Sequence, residues 1–249
     1  MGNRIFKFKF IALLVHFTLS TVIVTAAGIF IYFVWYPSVF FWIDGGLEGM
    51  RIMALVEVVL GPLMTFVVYA PGKRRLKQDL AIIGIVQISA FVIGLSIIYS
   101  ERPLAISLTG NTFYSTNRVG FDFYGQKPDF LDKFAGSFPK YVYVTERKAK
   151  PDSLMEILKT IPDRLLESSS SPLSDHIEEV IAQGITAEAL ATRYPNLQKS
   201  INLLQKKYSS KYPKARYYRL IAKNSVTYCL FDAPTSNFLD LVSKEETPP

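Results

Sequence analysis

Two polar side chains interrupt long apolar stretches of this 249-residue chain, where few polar groups are expected. Glu57 lies in the stretch 52–70, and Gln87 lies in the stretch 80–99. Burying a carboxyl or amide group in hydrocarbon is costly unless the group finds a partner. Glu57 could therefore be hydrogen-bonded to Gln87 or Thr65, face the helix of another protein, or relay protons. Ion transport is disfavoured, because the other two apolar stretches carry no acidic residue.

Evidence for catalysis is weak along the whole sequence. The chain has one cysteine, Cys229, and two histidines, His16 and His176, and nothing in the sequence brings a base to the thiol. The apolar run SVTYCLFD predicts a buried, structural thiol in a strand. There is no glycine-rich phosphate loop, metal-ligand spacing or nucleophile elbow. We therefore expect a protein that is not an enzyme, with no metal, no cofactor and no small-molecule substrate.

The net charge of +7 is explained by membrane topology better than by a nucleic-acid partner, and we expect no such partner. Much of the excess sits in Arg4, Lys7 and Lys9 and in the turn that holds Lys73, Arg74, Arg75 and Lys77. Basic loops remain on the cytoplasmic side of a membrane. We therefore predict a cytoplasmic N-terminus and basic turn, with everything after Arg102 outside, which in a bacterial inner membrane is the periplasm.

Three membrane-spanning helices are predicted, at about 11–35, 52–70 and 80–99, since each stretch approaches or exceeds the ~20 apolar residues that a span requires. Together they form a transmembrane domain, 1–102, in contact with the lipid bilayer. Interface anchors are expected where the first and third spans reach the outer surface, at Trp35, Tyr36, Pro37, Arg102 and Pro103. Asp79 begins the third span, where a carboxylate complements the helix dipole.

The second predicted span contains Gly61 followed by Pro62. Proline removes a backbone donor and clashes with the carbonyl four residues earlier, so a kink is expected there, with Thr65 close enough to satisfy the freed carbonyl of Val58. The kink could only shape the bundle, or Gly61 could let another helix pack closely.

The region 103–249 is predicted to be a soluble α+β domain. Strands are expected at 104–108 and 140–145, and at 217–222 and 225–231 as a hairpin. Helices are expected at 154–161, 176–183, 188–195 and 196–208. The serines 168–171 are predicted to form a flexible connector, and the tail 243–249 to be disordered.

A series of motifs resembles one family, the type IV pilin accessory proteins of bacterial inner membranes. In order, these motifs are WYP at 35–37, the glycine pair at 45–46, VEVVLGPLMTFVVY at 56–69, KRRLKQDLAIIGIVQ at 73–87 and ERP at 101–103. The resemblance covers roughly 10–110. Glu57 departs from the aspartate expected in the family, which keeps the acid but lengthens its arm.

The resemblance implies a non-enzymatic accessory factor, or chaperone, that binds and stabilises a cognate major type IV pilin for pilus assembly. The spans would contact the pilin's membrane helix, and the periplasmic domain its head. On this hypothesis Gly61, Pro62 and Thr65 form a groove for that helix, while Glu57 and Gln87 are polar pins that hold the bundle's shape. The alternatives are a membrane-anchored extracytoplasmic sensor or another protein-interaction module, and a membrane-bound enzyme.

Overall fold

The computed structural model describes residues 2–145 and 162–242, and its N-terminal part is helical. Three continuous helical segments are long and apolar enough to cross a membrane, and we call Arg4–Trp35 the first span, Gly46–Val68 the second and Leu76–Ser100 the third. The helices are α1 (Gly2–Phe30, continued by a π-helix, Ile31–Trp35), α2 (Phe40–Ile43), α3 (Gly46–Ala54, continued by a π-helix, Leu55–Leu60), α4 (Gly61–Val68) and α5 (Leu76–Ser100).

The second span differs most from the prediction. It begins at Gly46 rather than near residue 52, directly after Gly45, whose φ of 98° makes the turn that glycine tolerates best. Its middle is π-helical up to Leu60, just before Gly61 and Pro62. The wider π-turn falls where proline cannot donate an α-helical hydrogen bond. At the position where a kink is predicted, the structure therefore shows a change of helix type.

The second part of the chain is built on a seven-stranded mixed sheet with the order β4-β3-β1-β2-β5-β6-β7. β1 pairs in parallel with β3, and β2 with β5, while the other neighbours are antiparallel. The strands are β1 (Pro103–Thr109), β2 (Thr112–Asn117), β3 (Lys140–Val144), β4 (Ser170–Pro172), β5 (Arg216–Ile221), β6 (Val226–Asp232) and β7 (Asn237–Val242). The helices are α6 (Arg118–Phe123), α7 (Ile177–Gln183), α8 (Ala187–Arg193) and α9 (Gln198–Tyr208), with short 3-10 segments between elements.

Most of the predicted elements of this sheet domain are present. β1, β3, the β5–β6 hairpin and the helices α7, α8 and α9 all lie where the sequence placed them, within a few residues. The prediction of a flexible connector at 168–171 is wrong. Ser170–Pro172 pairs with β3 as strand β4, and the Ser171 hydroxyl donates to the carbonyl oxygen of Tyr143. The predicted helix 154–161 and the tail 243–249 lie outside the described residues.

The sheet curls strongly around one face. β3 and β7 are five strand spacings apart in the sheet order, about 24 Å if the sheet were flat. The ring centroids of Tyr141 on β3 and Phe238 on β7 are nevertheless 5.8 Å apart. The inner face of the sheet therefore forms a trough lined by aromatic rings.

The trough is filled by the loop between the first and second spans, residues 37–45, which we call the plug. Its residues Val39, Phe40 and Ile43 are buried in one hydrophobic cluster with side chains from β1, β2, β5, β6 and β7. Phe40 is fully buried, and its ring centroid is 5.0 Å from that of Phe238. The core of the sheet domain therefore crosses the boundary that the sequence placed at residue 102, because the plug belongs to both parts.

Candidate functional site

The second span turns one polar face inward. Met53, Glu57, Gly61 and Thr65 recur every four residues, so they share one side of the helix, and all four are buried. The first and third spans cover this side. The bundle therefore has polar groups in its interior, and Glu57 lies at the middle of the span that runs from Gly46 to Val68.

The second and third spans approach each other closely at Gly61. A Cβ atom added to Gly61 would lie 1.7 Å from Nε2 of Gln87, so the amide occupies the space that any other residue would fill. Pro62 and Thr65 are buried in the same bundle. The groove predicted at Gly61, Pro62 and Thr65 is therefore filled by the chain's own helices and is not open to another protein in this structure.

Thr65 joins the second span to the first. Its Oγ1 is hydrogen-bonded to Nδ1 of His16 at 2.6 Å, rather than serving the carbonyl of Val58 as predicted. The imidazole is also approached by Gln87. No role for His16 was predicted, although a signal exists: His16 and Ser20 are polar residues four apart in an apolar helix, and both turn inward.

Glu57 and Gln87 are buried without complete hydrogen bonding. They are 7% and 6% exposed, and across residues 2–145 and 162–242 neither Oε1 of Glu57 nor Nε2 of Gln87 has a hydrogen-bond partner. Of the alternatives left open for Glu57, the bond to Gln87 or Thr65 is not formed in this part of the chain. The buried polar groups of the bundle thus include one interhelical hydrogen bond, between Thr65 and His16, and two polar atoms without a described partner. An unpaired polar atom is most unfavourable in such apolar surroundings.

The residues predicted as anchors after the first span have separate roles. Trp35 packs its ring 5.1 Å from that of Tyr99. Tyr36 is fully buried, and its hydroxyl donates to the carbonyl oxygen of Ile98 at 2.9 Å, so it ties the first span to the third instead of lying at a lipid interface. Burial raises the pKa of Tyr36. Pro37 lines a surface cavity beside Tyr141.

Arg102 and Pro103, which follow the third span, respectively pack against its last turn and begin the sheet. The Arg102 guanidinium lies 3.6 Å from the centroid of the Tyr99 ring, and Nη1 donates to the Tyr99 carbonyl oxygen at 2.9 Å. Pro103 is buried and begins β1. Arg102 therefore packs against the helix end from which the sheet starts.

The basic turn lies at the other end of the third span. Asp79 lies in the first turn of α5 and forms an ion pair with Lys73, with Nζ and Oδ2 2.7 Å apart. Arg74, Arg75 and Lys77 are exposed. The turn therefore presents its positive charge to solvent.

Asp44, at the end of the plug, is the centre of a second polar cluster. Its carboxylate accepts hydrogen bonds from the Ser115 hydroxyl on β2 and from the backbone nitrogen of Lys223, the latter at 2.9 Å. Burial raises the pKa of Asp44, and these two bonds and the Lys223 charge offset only part of that rise. The sequence did not predict this cluster, since its members lie up to 179 positions apart.

Glu101 links the same cluster to the third span. Its Oε2 accepts from Nδ2 of Asn117 at 2.9 Å and from Nζ of Lys223 at 2.8 Å. The backbone nitrogen of Asn224 also donates to the carbonyl oxygen of Ile43 at 3.0 Å. The plug, the end of the third span and two turns of the sheet therefore meet at one junction.

Cys229 has the structural role that was predicted. It lies on β6, is fully buried in the cluster that holds the plug, and burial raises the pKa of its thiol. The ring of His176 stacks on Tyr143, with centroids 4.2 Å apart, and His16 is in the helical bundle.

Comparison with known proteins finds relatives that are all named fimbrial assembly protein. The chain is 39% identical over 95 residues to the fimbrial assembly protein of serogroup E1 from Dichelobacter nodosus, a match that covers 37% of each chain. It is 37% identical over 95 residues to the fimbrial assembly protein of serogroups C1 and C2, covering 37% of this chain and 72% of that protein. No family model matches the chain, and no solved structure matches it.

The extent of these matches differs between relatives. The chain spans only about a third of the serogroup E1 protein and of a third relative, that of serogroup I. The match to the C1 and C2 protein reaches nearly three-quarters of that relative's length. On that match, this chain belongs to the family of the Dichelobacter nodosus fimbrial assembly proteins.

Proposed function

We propose that this protein is an inner-membrane accessory factor in type IV fimbrial assembly, which binds and stabilises a cognate major pilin without catalysing a reaction. The family of fimbrial assembly proteins supports a role in assembly. The proposed topology has the basic turn in the cytoplasm and the sheet domain in the periplasm, as the distribution of Lys and Arg favours.

The plug is the observation that carries this proposal. A pilin awaiting assembly, as the family resemblance implies, has an apolar helix in the membrane and a globular head outside. Val39, Phe40 and Ile43 fix the sheet domain to the helical bundle through a shared core. Two surfaces held in a fixed relation can contact both parts of such a client at once, and each contact then raises the effective concentration of the other.

The client helix would pack on the lipid-facing side of the bundle rather than in the predicted groove. Gln87 already occupies the space beside Gly61. The outward faces are apolar, with Val22 on the first span, Leu63 on the second and Ile88 on the third exposed by 61%, 49% and 68%. Packing between helices in lipid depends on such complementary faces.

Photocrosslinking in cells tests this arrangement. A photoreactive residue at position 22, 63 or 88 is expected to capture the major pilin from at least one face. The matched control is position 65, because Thr65 is buried against His16 and should capture none. Capture only at position 65 would show that the client enters the bundle.

Co-purification separates binding from crosslinking geometry. The full chain, extracted from membranes in mild detergent, is expected to retain the major pilin. If the pilin is recovered neither by purification nor at any outward position, the accessory-factor proposal is wrong.

A further inference from the structure

The helix α6 presents an apolar face that the protein itself does not cover. Phe123 is 80% exposed and Val119 54%, and the two are one helical turn apart. Among the described residues after Pro103, the other exposed large hydrophobic side chains are single ones, Leu203 and Val226. A paired apolar face on so short a helix indicates a surface that is covered by something else.

The position of α6 identifies what covers it. Asn117 caps the helix by accepting from the Gly120 backbone nitrogen at 2.9 Å, and its Nδ2 donates to Glu101, the residue that follows the third span. On the helix itself, Phe121 is buried in one cluster with Leu104 and Ala105. The start and the middle of α6 are therefore held beside the point where the chain leaves the third span.

The dimensions agree with contact to a bilayer. Six residues of helix extend about 9 Å. A bilayer of about 40–45 Å with a hydrocarbon core of ~30 Å leaves an interfacial layer of about 5–8 Å on each side. A helix that starts beside the end of a span and extends about 9 Å cannot carry Phe123 far from that layer.

We propose that the Val119–Phe123 face of α6 is inserted in the membrane interface beside the end of the third span. The occupant of this surface is lipid. Phe123 enters the acyl boundary, as the apolar face of an interfacial helix does. Arg118, on the adjacent side and only loosely paired with Asp122 at 3.8 Å, lies at the level of the headgroups.

Quenching by lipids carrying a nitroxide on the acyl chain tests the proposal in the full-length protein. Phe123→Cys is labelled with an environment-sensitive fluorophore and placed in nanodiscs of phosphatidylethanolamine and phosphatidylglycerol containing doxyl-phosphatidylcholine. Leu203→Cys, 62% exposed on α9, is the matched control. Cys229 stays in place because it is fully buried.

Lipid quenching at position 123 is expected to be about threefold or more stronger than at position 203, with weaker quenching by aqueous iodide. Equal lipid quenching at both positions, with full access to iodide at position 123, would overturn the proposal. Protection of position 123 that arises only when pilin is added would also overturn it, and would assign the face to a protein partner. Both substitutions are at exposed sites, so folding is preserved.

Discussion

Two buried carboxyl groups, those of Asp44 and Glu57, differ in their hydrogen bonding. Asp44 receives two donors, from Ser115 and the backbone of Lys223, whereas Oε1 of Glu57 has no partner among the described residues. A carboxyl group with donors can fix a junction between elements, because each part-buried donor would lose its acceptor without it. Glu57 adds no such bond, so removing it leaves no described donor unpaired.

Substitutions at Asp44 test the junction through the free energy of unfolding. Asp44→Ala leaves the Ser115 hydroxyl and the Lys223 nitrogen without their acceptor, and should lower this free energy by about 1–3 kcal/mol. Denaturant unfolding in detergent micelles measures the loss. Asp122→Ala removes an exposed carboxylate and should cost little.

The same residue should make stability depend on pH. Burial raises the pKa of Asp44 in the folded state, so the folded protein favours the protonated form. The resulting stabilisation is complete below the ordinary pKa of about 4, and is lost as pH rises through the folded pKa. Asp44→Asn should remove this decline, measured as unfolding free energy against pH. An unchanged decline in Asp44→Asn would assign it to another group.

At the scale of elements, the sequence indicates which residues share one face of a helix better than it indicates which helix packs against that face. Four-residue spacing is enough to place Glu57, Gly61 and Thr65 on one side of the second span. It does not show that Gln87 fills the space at Gly61, since that depends on the register between two helices. In this structure Gln87 fills the space beside Gly61, and a glycine that permits close packing does not reveal which helix packs there.

Gly61→Ala and Gly84→Ala form a matched pair on adjacent spans. At Gly61 the new Cβ would collide with Gln87, whereas at Gly84 the new Cβ would meet no packing neighbour within 4 Å. Gly61→Ala should therefore destabilise the bundle by about 1–3 kcal/mol. Gly84→Ala should be neutral or slightly stabilising, because alanine favours helix by up to about 1 kcal/mol over glycine. Unfolding of the helices by circular dichroism compares the two, and equal effects would contradict the packing.

The strands also include some that the sequence predicts and one, β4, that depends on its neighbour. β1, β3, β5 and β6 were predicted because β-branched and aromatic residues dominate them. β4 was not, because Ser170–Pro172 has no strand propensity of its own and forms a strand only beside β3. Pairing with a neighbour thus decides the structure of this segment, and a single sequence does not show that neighbour.

At the scale of the whole molecule, the plug unites two parts that composition separates. Its apolar residues directly follow those of the first span, so the sequence indicates aromatic side chains at a membrane interface. In the structure Trp42 remains 56% exposed, while Val39, Phe40 and Ile43 enter the sheet. Contacts between residues 200 positions apart, such as the Ser38 hydroxyl with the Phe238 carbonyl oxygen, are beyond what local pattern can predict.

Phe40→Ala tests whether the plug supports the distant sheet. Removing a fully buried phenyl ring should cost about 3–5 kcal/mol. Cys229 reports the effect, because it is fully buried in the same cluster and is the chain's one cysteine. Its rate of modification by a thiol reagent should rise strongly in Phe40→Ala and little in Trp42→Ala. Equal rates would show that the sheet holds its core without the plug.

The plug also defines the unit in which this protein can be recombined. A graft that joins the sheet domain of one relative to the spans of another at residue 102 would separate the trough from the side chains that fill it. Residues 37–45 would have to be exchanged together with residues 103–242, although the second and third spans lie between them in the chain. A functional hybrid therefore needs three crossovers, before residue 37, after residue 45 and after residue 102, rather than one.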